Sequence, residues 1–202
     1  MNPPIPESTN RYFILRHGFS QANEMNMIVS NLQRGKNAFG LTDKGRAQVT
    51  ATVTAARDEG RLDAQTVVVS SPFLRAVETA EIATEILGIR GFQRDDRLRE
   101  RFFGTFELME DKNYQAVWDR DRLDPNHTQW QVESVTAEVE RMHALLTELS
   151  QQYQGQTILL IAHGDIASML LCWAAGEDLR QHREVGALET AGLAEVSFNM
   201  RN

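Results

Sequence analysis

The chain has 202 residues, 42% of them hydrophobic, and a formal net charge of -7. This length supports one sizeable core without requiring a second, so a single domain spanning 1–202 is expected. The acidic balance argues against nucleic acid or an anionic membrane as the main partner, because both are held largely through Lys and Arg.

The opening stretch MNPPIPESTN is Pro-rich and polar with no apolar run. It predicts an extended tail over 1–10 rather than a signal peptide, and with it a cytoplasmic protein. RYFIL (11–15), TVVVS (66–70) and TILLIA (157–162) are short apolar or β-branched runs bounded by polar residues, and predict buried parallel strands. A helix signal follows each of them: Ser20 after the first, Ser71-Pro72 as N-cap and first-turn proline after the second, and Asp165 after the third. A further helix is expected from Thr42 to about Glu59, and a short strand near Asp95 to Leu98. In SVTAEVERMHALLTELSQQYQ, Val135, Val139, Met142, Leu146, Leu149 and Tyr153 recur at helical steps, with Gly155 ending the pattern. GLAEVSF (192–198) reads as a last strand at a sheet edge. Strands alternating with helices predict a three-layer α/β/α sandwich with a largely parallel sheet. Residues 101–132 fit this alternation least and are expected to form an insertion that caps a site. The most apolar window, 157–175, carries His163-Gly164-Asp165 near its start, which reads as a strand and a helix rather than a membrane span. The single cysteine, Cys172, fits a reducing compartment and is expected to be a small buried side chain.

Polar residues follow the carboxyl end of each predicted strand: Arg16-His17, then Ser71-Pro72 with Arg75, then Glu100, then His163-Gly164. In a parallel sheet these groups project into one crevice beside helix amino termini. Two arginines, two histidines, a carboxyl group and free helix N–H donors suit a phosphate pocket with a nucleophile. The guanidinium fork matches phosphate oxygens, and an opposed charge pair at 4 Å is worth about 4 kcal/mol at an effective dielectric of 20. Neighbouring guanidinium groups also hold a histidine neutral, with a lone pair free to attack. A carboxyl group can protonate the leaving alcohol, which a phosphate monoester needs. No metal or cofactor is called for. HExxH, GxxxxGK[ST] and GxGxxG are all absent from the sequence.

LRHGFSQAN, LTDKGRAQ, SSPFLRAVETA, LRERFFG and AHGD occur in the order and rough spacing of the histidine phosphatase superfamily, which includes the cofactor-dependent phosphoglycerate mutases. ESVTAEVERM is similar to the segment preceding that family's last catalytic strand. The resemblance covers about Arg11 to Ala167 and implies a phosphoglycerate mutase-like fold. It implies that His17 is the nucleophile phosphorylated on nitrogen, that Arg16, Arg75 and His163 surround the transferred phosphoryl group, and that Glu100 is general acid, then base. Asn23 resembles a polar residue of the same pocket, and Gly164 one whose backbone lies close to the phosphate. Leu41, Thr42, Gly45 and Gln48 resemble a structural segment.

The chain departs from the common pattern at Phe19 and at Asp165, where a carboxylate follows the second HG. An N-cap role that turns Asp165 away from the ligand accounts for it. Phe19, Phe39, Phe102 and Phe103 are expected mostly in the core, with an aromatic rim as the alternative. Arg97 and Arg99 are expected on a solvated face of an extended segment, with Arg101 reaching toward a substrate anion. His127, His143 and His182 are expected to be packing or surface residues, and Trp118, Trp130 and Trp173 hydrophobic anchors. The leading function is a metal-independent phosphatase of phosphate monoesters, with a small phosphorylated metabolite as substrate. A phosphoglycerate mutase is the first alternative, though Arg120 and Arg122 are the nearest substitutes for a carboxylate-gripping arginine pair. A non-catalytic phosphate-binding module is the second.

Overall fold

The computed structural model describes Pro3 and residues 8–198. Five strands form one sheet: β1 (Arg11–Arg16), β2 (Val67–Ser70), β3 (Gln93–Arg94), β4 (Thr157–Ala162) and β5 (Leu193–Val196), in the order β3-β2-β4-β1-β5. β1 pairs in parallel with β4, as do β2 with β4 and β2 with β3, while β5 closes one edge antiparallel to β1. Among the described residues there are eight α-helices: α1 (Gln21–Glu24), α2 (Leu32–Gly35), α3 (Asp43–Asp58), α4 (Leu74–Leu87), α5 (Tyr114–Asp121), α6 (Val135–Gln152), α7 (Gly164–Ala174) and α8 (His182–Val185).

Burial on both faces of β1, β2 and β4 explains their near-continuous apolar runs. On one face Ile14, Val69, Ile158 and Leu160 pack with Val139, Met142 and Leu146 of α6 and Ile166 and Leu170 of α7. On the other, Phe13, Leu15, Val68 and Leu159 pack with Val49 and Val53 of α3 and Ala76, Ala80 and Ala83 of α4. Each fully buried aliphatic side chain contributes about 1.5–3 kcal/mol relative to exposure. This is the α/β/α architecture the alternating pattern predicts. A third cluster joins Ile28 to Phe103, Val117 and Val132, so the 101–132 stretch carries a small core of its own against the segment after α1. Of the 1–10 tail, only Pro3 and residues 8–10 are described; the Pro3 carbonyl accepts from Trp173 Nε1 at 3.2 Å. Cys172 is buried. Among the described residues no helix is long and apolar enough to cross a membrane.

Three local expectations are corrected. The strand expected near Asp95 to Leu98 ends at Arg94, and Asp96–Leu98 is a tight 3-10 turn in which the Asp95 carboxylate accepts from the Arg97 N–H. The N-cap position of α4 is Phe73, with no side-chain cap bond, rather than Ser71-Pro72; the Ser71 hydroxyl lies 2.8 Å from His163 Nε2 and accepts from the Phe73 N–H at 3.3 Å. His163, not Asp165, is the N-cap of α7, and Asp165 sits in its first turn. Thr42 caps α3 as expected, through its hydroxyl to the Gly45 N–H.

Glu138, on the inner face of α6, is fully buried, and both its oxygens lack a hydrogen-bond partner within the protein. Burial above all holds its carboxyl well above the ordinary 4.5 and therefore neutral. The unfolded chain gives up this proton above pH 4.5 while the folded chain keeps it, so this group's contribution to stability falls as pH rises. Glu138→Gln is therefore expected to match the parent near pH 5 and to exceed it in Tm by a margin that widens toward pH 8. A margin independent of pH contradicts the neutral carboxyl.

Candidate active site

The sheet delivers the site by its carboxyl edge. A pocket of about 250 Å³ opens there, and Arg16, His17, Asn23, Arg75, Glu100 and Gly164 all line it. His163, the remaining residue singled out in the sequence, stands directly behind them: fully buried, its ring is 5.2 Å from that of His17, and its Nδ1 lies 3.9 Å from Glu100 Oε2.

His17 follows the last residue of β1, where its neighbours fix both ring nitrogens. Nδ1 lies 2.8 Å from the Gly18 carbonyl, which can only accept, so Nδ1 carries the proton. Nε2 then holds a lone pair, and Arg75 Nε donates to it at 2.9 Å. Burial, then the charges of Arg75 and Arg16, lower the His17 pKa well below 6.5, so the imidazole is neutral. His163 is held neutral by the same causes, burial first and Arg75 next, and its Nε2 lies 2.8 Å from Ser71 Oγ.

Each arginine is anchored to a backbone carbonyl and has a nitrogen without a partner. Arg16 Nη1 donates to the Leu188 carbonyl at 2.6 Å, while its buried Nε has no partner within the protein. Arg75 Nη2 donates to the Val29 carbonyl at 3.0 Å, and its buried Nη1 is likewise free. His163 Nδ1 is a third such atom. Burying polar N–H groups unpaired is costly, and here the two arginine N–H groups belong to side chains that line one pocket.

Glycines let these groups approach. A Cβ on Gly164 would lie 3.1 Å from Arg16 Cζ, and one on Gly18 only 2.5 Å from the Gly45 carbonyl oxygen. A Cβ on Gly45 would in turn meet the Phe19 carbonyl oxygen at 2.0 Å, so the loop after β1 seats directly on α3. Gln48 Oε1 accepts from the Phe19 N–H at 3.0 Å, which fits the structural reading of this segment. Asn23 Oδ1 accepts from the Ser20 N–H and hydroxyl in a capping box, and this fixes the side chain at the pocket wall.

Glu100 is 7% exposed, and its Oε1 accepts from the Arg101 backbone N–H at 2.9 Å. Burial is the main cause that pushes its carboxyl up to about 7, and Asp165 adds to it against the pull of Arg75 and Arg16. At neutral pH it is poised between proton donor and acceptor.

The expectations for Arg101 and Asp165 are overturned together. Arg101 does not reach toward a substrate: it is completely buried, with Nη1 and Nη2 on Asp121 at 2.7 and 2.8 Å and Nη1 on Asp165 at 3.2 Å. The Asp165 carboxylate does not turn to backbone N–H groups; it lines the pocket and also accepts from Trp118 Nε1 at 2.9 Å. Arg97 and Arg99 do form surface ion pairs, with Asp95 and Glu148 and with Glu133. His127 and His182 are buried packing histidines, but each also sets its Nε2 against Asp121, at 2.9 and 3.3 Å. Arg120 and Arg122 do not line the pocket, and Arg122 pairs with Asp119 and Glu184.

Tyr114, Trp118 and Arg183 also line the pocket, although the sequence does not single them out as site residues. Tyr114 and Trp118 stack one turn apart on α5, 5.3 Å between ring centroids, and the Arg183 guanidinium lies 4.2 Å from the Trp118 ring centre. The indole is thus contacted by a ring and a guanidinium group and donates to Asp165, and Trp118 is more than a hydrophobic anchor. Of the four phenylalanines, only Phe103 reaches the pocket, and it is also core. Among the described residues no three His, Cys, Asp or Glu side chains converge as metal ligands.

Residues 12–202 match the family model of the histidine phosphatase superfamily (branch 1). The chain belongs to this superfamily. It is an enzyme of the family, and two curated relatives span nearly its full length. It is 27% identical to an uncharacterized phosphatase, PhoE, of Bacillus subtilis over 192 residues, covering 94% of this chain and 91% of that one. It is 30% identical to a probable phosphoglycerate mutase, GpmB, of Escherichia fergusonii over 193 residues, covering 92% and 84%. A solved structure of a mycobacterial glucosyl-3-phosphoglycerate phosphatase with VO3 superposes with a TM-score of 0.75 at 22% identity, covering 92% of this chain and 91% of that one, and so shares the fold.

Proposed function

We propose that the protein is a cytoplasmic, metal-independent phosphatase that hydrolyses phosphate monoesters of small metabolites through a phosphohistidine on His17. The observation that carries this reading is the pair of unpartnered donors, Arg16 Nε and Arg75 Nη1, on side chains that line the same pocket as the His17 lone pair and the Glu100 carboxyl. A phosphoryl group supplies the oxygen acceptors these donors lack. When it enters, the Arg75 N–H now on His17 Nε2 passes to a phosphoryl oxygen and frees the lone pair. Nε2 forms a bond to phosphorus, the P–O bond to the alcohol breaks, and the departing oxygen takes the Glu100 proton. Glu100, now a carboxylate, accepts a proton from water as the water oxygen attacks phosphorus. The N–P bond breaks, the lone pair returns to Nε2, and inorganic phosphate leaves.

Likeness to both a phosphatase and a probable mutase makes release of phosphate the property to measure. Purified protein in excess chelator is expected to release inorganic phosphate from members of a panel of phosphate esters at the rate seen without chelator. Interconversion of 3- and 2-phosphoglycerate without release favours a mutase, silence on the whole panel favours a phosphate-binding module, and activity lost in chelator and restored by a divalent cation contradicts the metal-independent mechanism.

A further inference from the structure

Asp165 places a carboxylate beside a phosphate pocket, where it opposes an anionic ligand. Yet the fold spends much of its buried polar chemistry on holding it there. Three donors bind it: Arg101 Nη1 at 3.2 Å, Trp118 Nε1 at 2.9 Å and Arg183 Nη1 at 3.4 Å. Arg101 is itself fixed by two bonds to Asp121, which His127 and His182 flank. The same Arg101 gives its backbone N–H to Glu100. One residue therefore ties down two carboxyl groups of the pocket, Glu100 by its backbone and Asp165 by its side chain.

Glu100 is faced from several elements. Arg16 from β1 and Arg75 from α4 favour its ionised form, Asp165 from α7 opposes it, and Tyr114 from α5 and His163 stand alongside. Asp165 in turn faces Arg101, Arg183, His182 and Asp121, whose cations keep it ionised below its ordinary value despite burial. Burial already disfavours the Glu100 carboxylate, and the Asp165 charge adds to it against the two guanidinium groups.

We propose that Asp165 is a positioning residue for the Glu100 acid: clamped by Arg101, Trp118 and Arg183 in the wall of the same pocket, it sets a fixed negative charge against ionisation of Glu100. This rests on Glu100 being the acid of the proposed phosphatase.

The test is the pH profile of kcat/KM on an alkyl phosphate for the parent, Asp165→Asn, Arg183→Gln and Glu100→Gln, with folding followed by circular dichroism. Asp165→Asn is expected to move the alkaline limb to lower pH by about one pH unit. Arg183→Gln strips a cation from Asp165 and is expected to move the limb to higher pH. Opposite displacements from two adjoining side chains are not what lost packing produces. A limb that stays in place in Asp165→Asn, while Glu100→Gln loses it, overturns the proposal. A limb that survives in Glu100→Gln overturns the assignment of the acid instead. Should Asp165→Asn fail to fold, Asp165→Ser decides by the same reading: a limb moved to lower pH supports the proposal, and one that stays in place overturns it.

Discussion

His17→Ala is expected to lower phosphate release by roughly four orders of magnitude or more, because no other group in the pocket replaces its lone pair. The geometry explains why the loss is so complete. Gly18 fixes the tautomer by taking the Nδ1 proton, and Arg75 and burial keep the ring neutral. Ser20, which also lines the pocket, has its hydroxyl committed to Asn23 Oδ1 at 2.9 Å. His17 makes a single side-chain bond to Arg75 and a local one to Gly18, so the alanine variant is expected to fold and to retain phosphate binding through the two arginines. Steady-state assay together with a phosphate-binding titration checks both halves. Activity at the parent's level rules out the nucleophile, and loss of binding along with turnover shows that the pocket itself collapsed.

Glu100→Gln is expected to separate substrates by their leaving groups. An alkyl alcohol leaves as a strongly basic alkoxide unless protonated, whereas a nitrophenol leaves readily without help, so the loss is expected to be about 10²–10⁴-fold for alkyl phosphates and far smaller for aryl phosphates. Glutamine retains the acceptor for the Arg101 N–H, and with it the local geometry, while removing the transferable proton. The parent's alkaline limb on alkyl substrates is expected near pH 7, where the buried Glu100 carboxyl titrates. Equal slowing of both ester classes removes Glu100 from the acid's role.

Much of the sheet and the centre of the pocket were legible because their signals are local. Apolar runs of four to six residues marked β1, β2 and β4, and the polar residue after each strand had to lie at the carboxyl edge of a parallel sheet. Arg16, His17, Arg75 and His163 thus came together from position alone. The wall of the pocket was harder to read. Tyr114 and Trp118 sit on an eight-residue helix within a stretch of mixed charge that has no clean periodicity, and Arg183 comes from a four-residue helix beyond α7. The short segment at 95–98 was misread as extended because alternating charge resembles a strand, whereas Asp95 capping Arg97 N–H stabilises a turn. A usable signal did exist for the buried clamp. A carboxylate after the second HG needs a cation, and Arg101, next to the acid, was available to supply it. Its partner Asp121 carried no such mark, being one acid among several in WDRDRLDP.

The central claim, a covalent phosphohistidine on His17, is tested most directly by quenching the protein in alkali within milliseconds of mixing with a phosphate ester and mapping the modified peptide by mass spectrometry. The account predicts one phosphoryl group on the peptide containing His17, stable to alkali, lost in acid and absent from His17→Ala. Turnover with no phosphorylated peptide at any time, or phosphate carried by a residue other than His17, contradicts it.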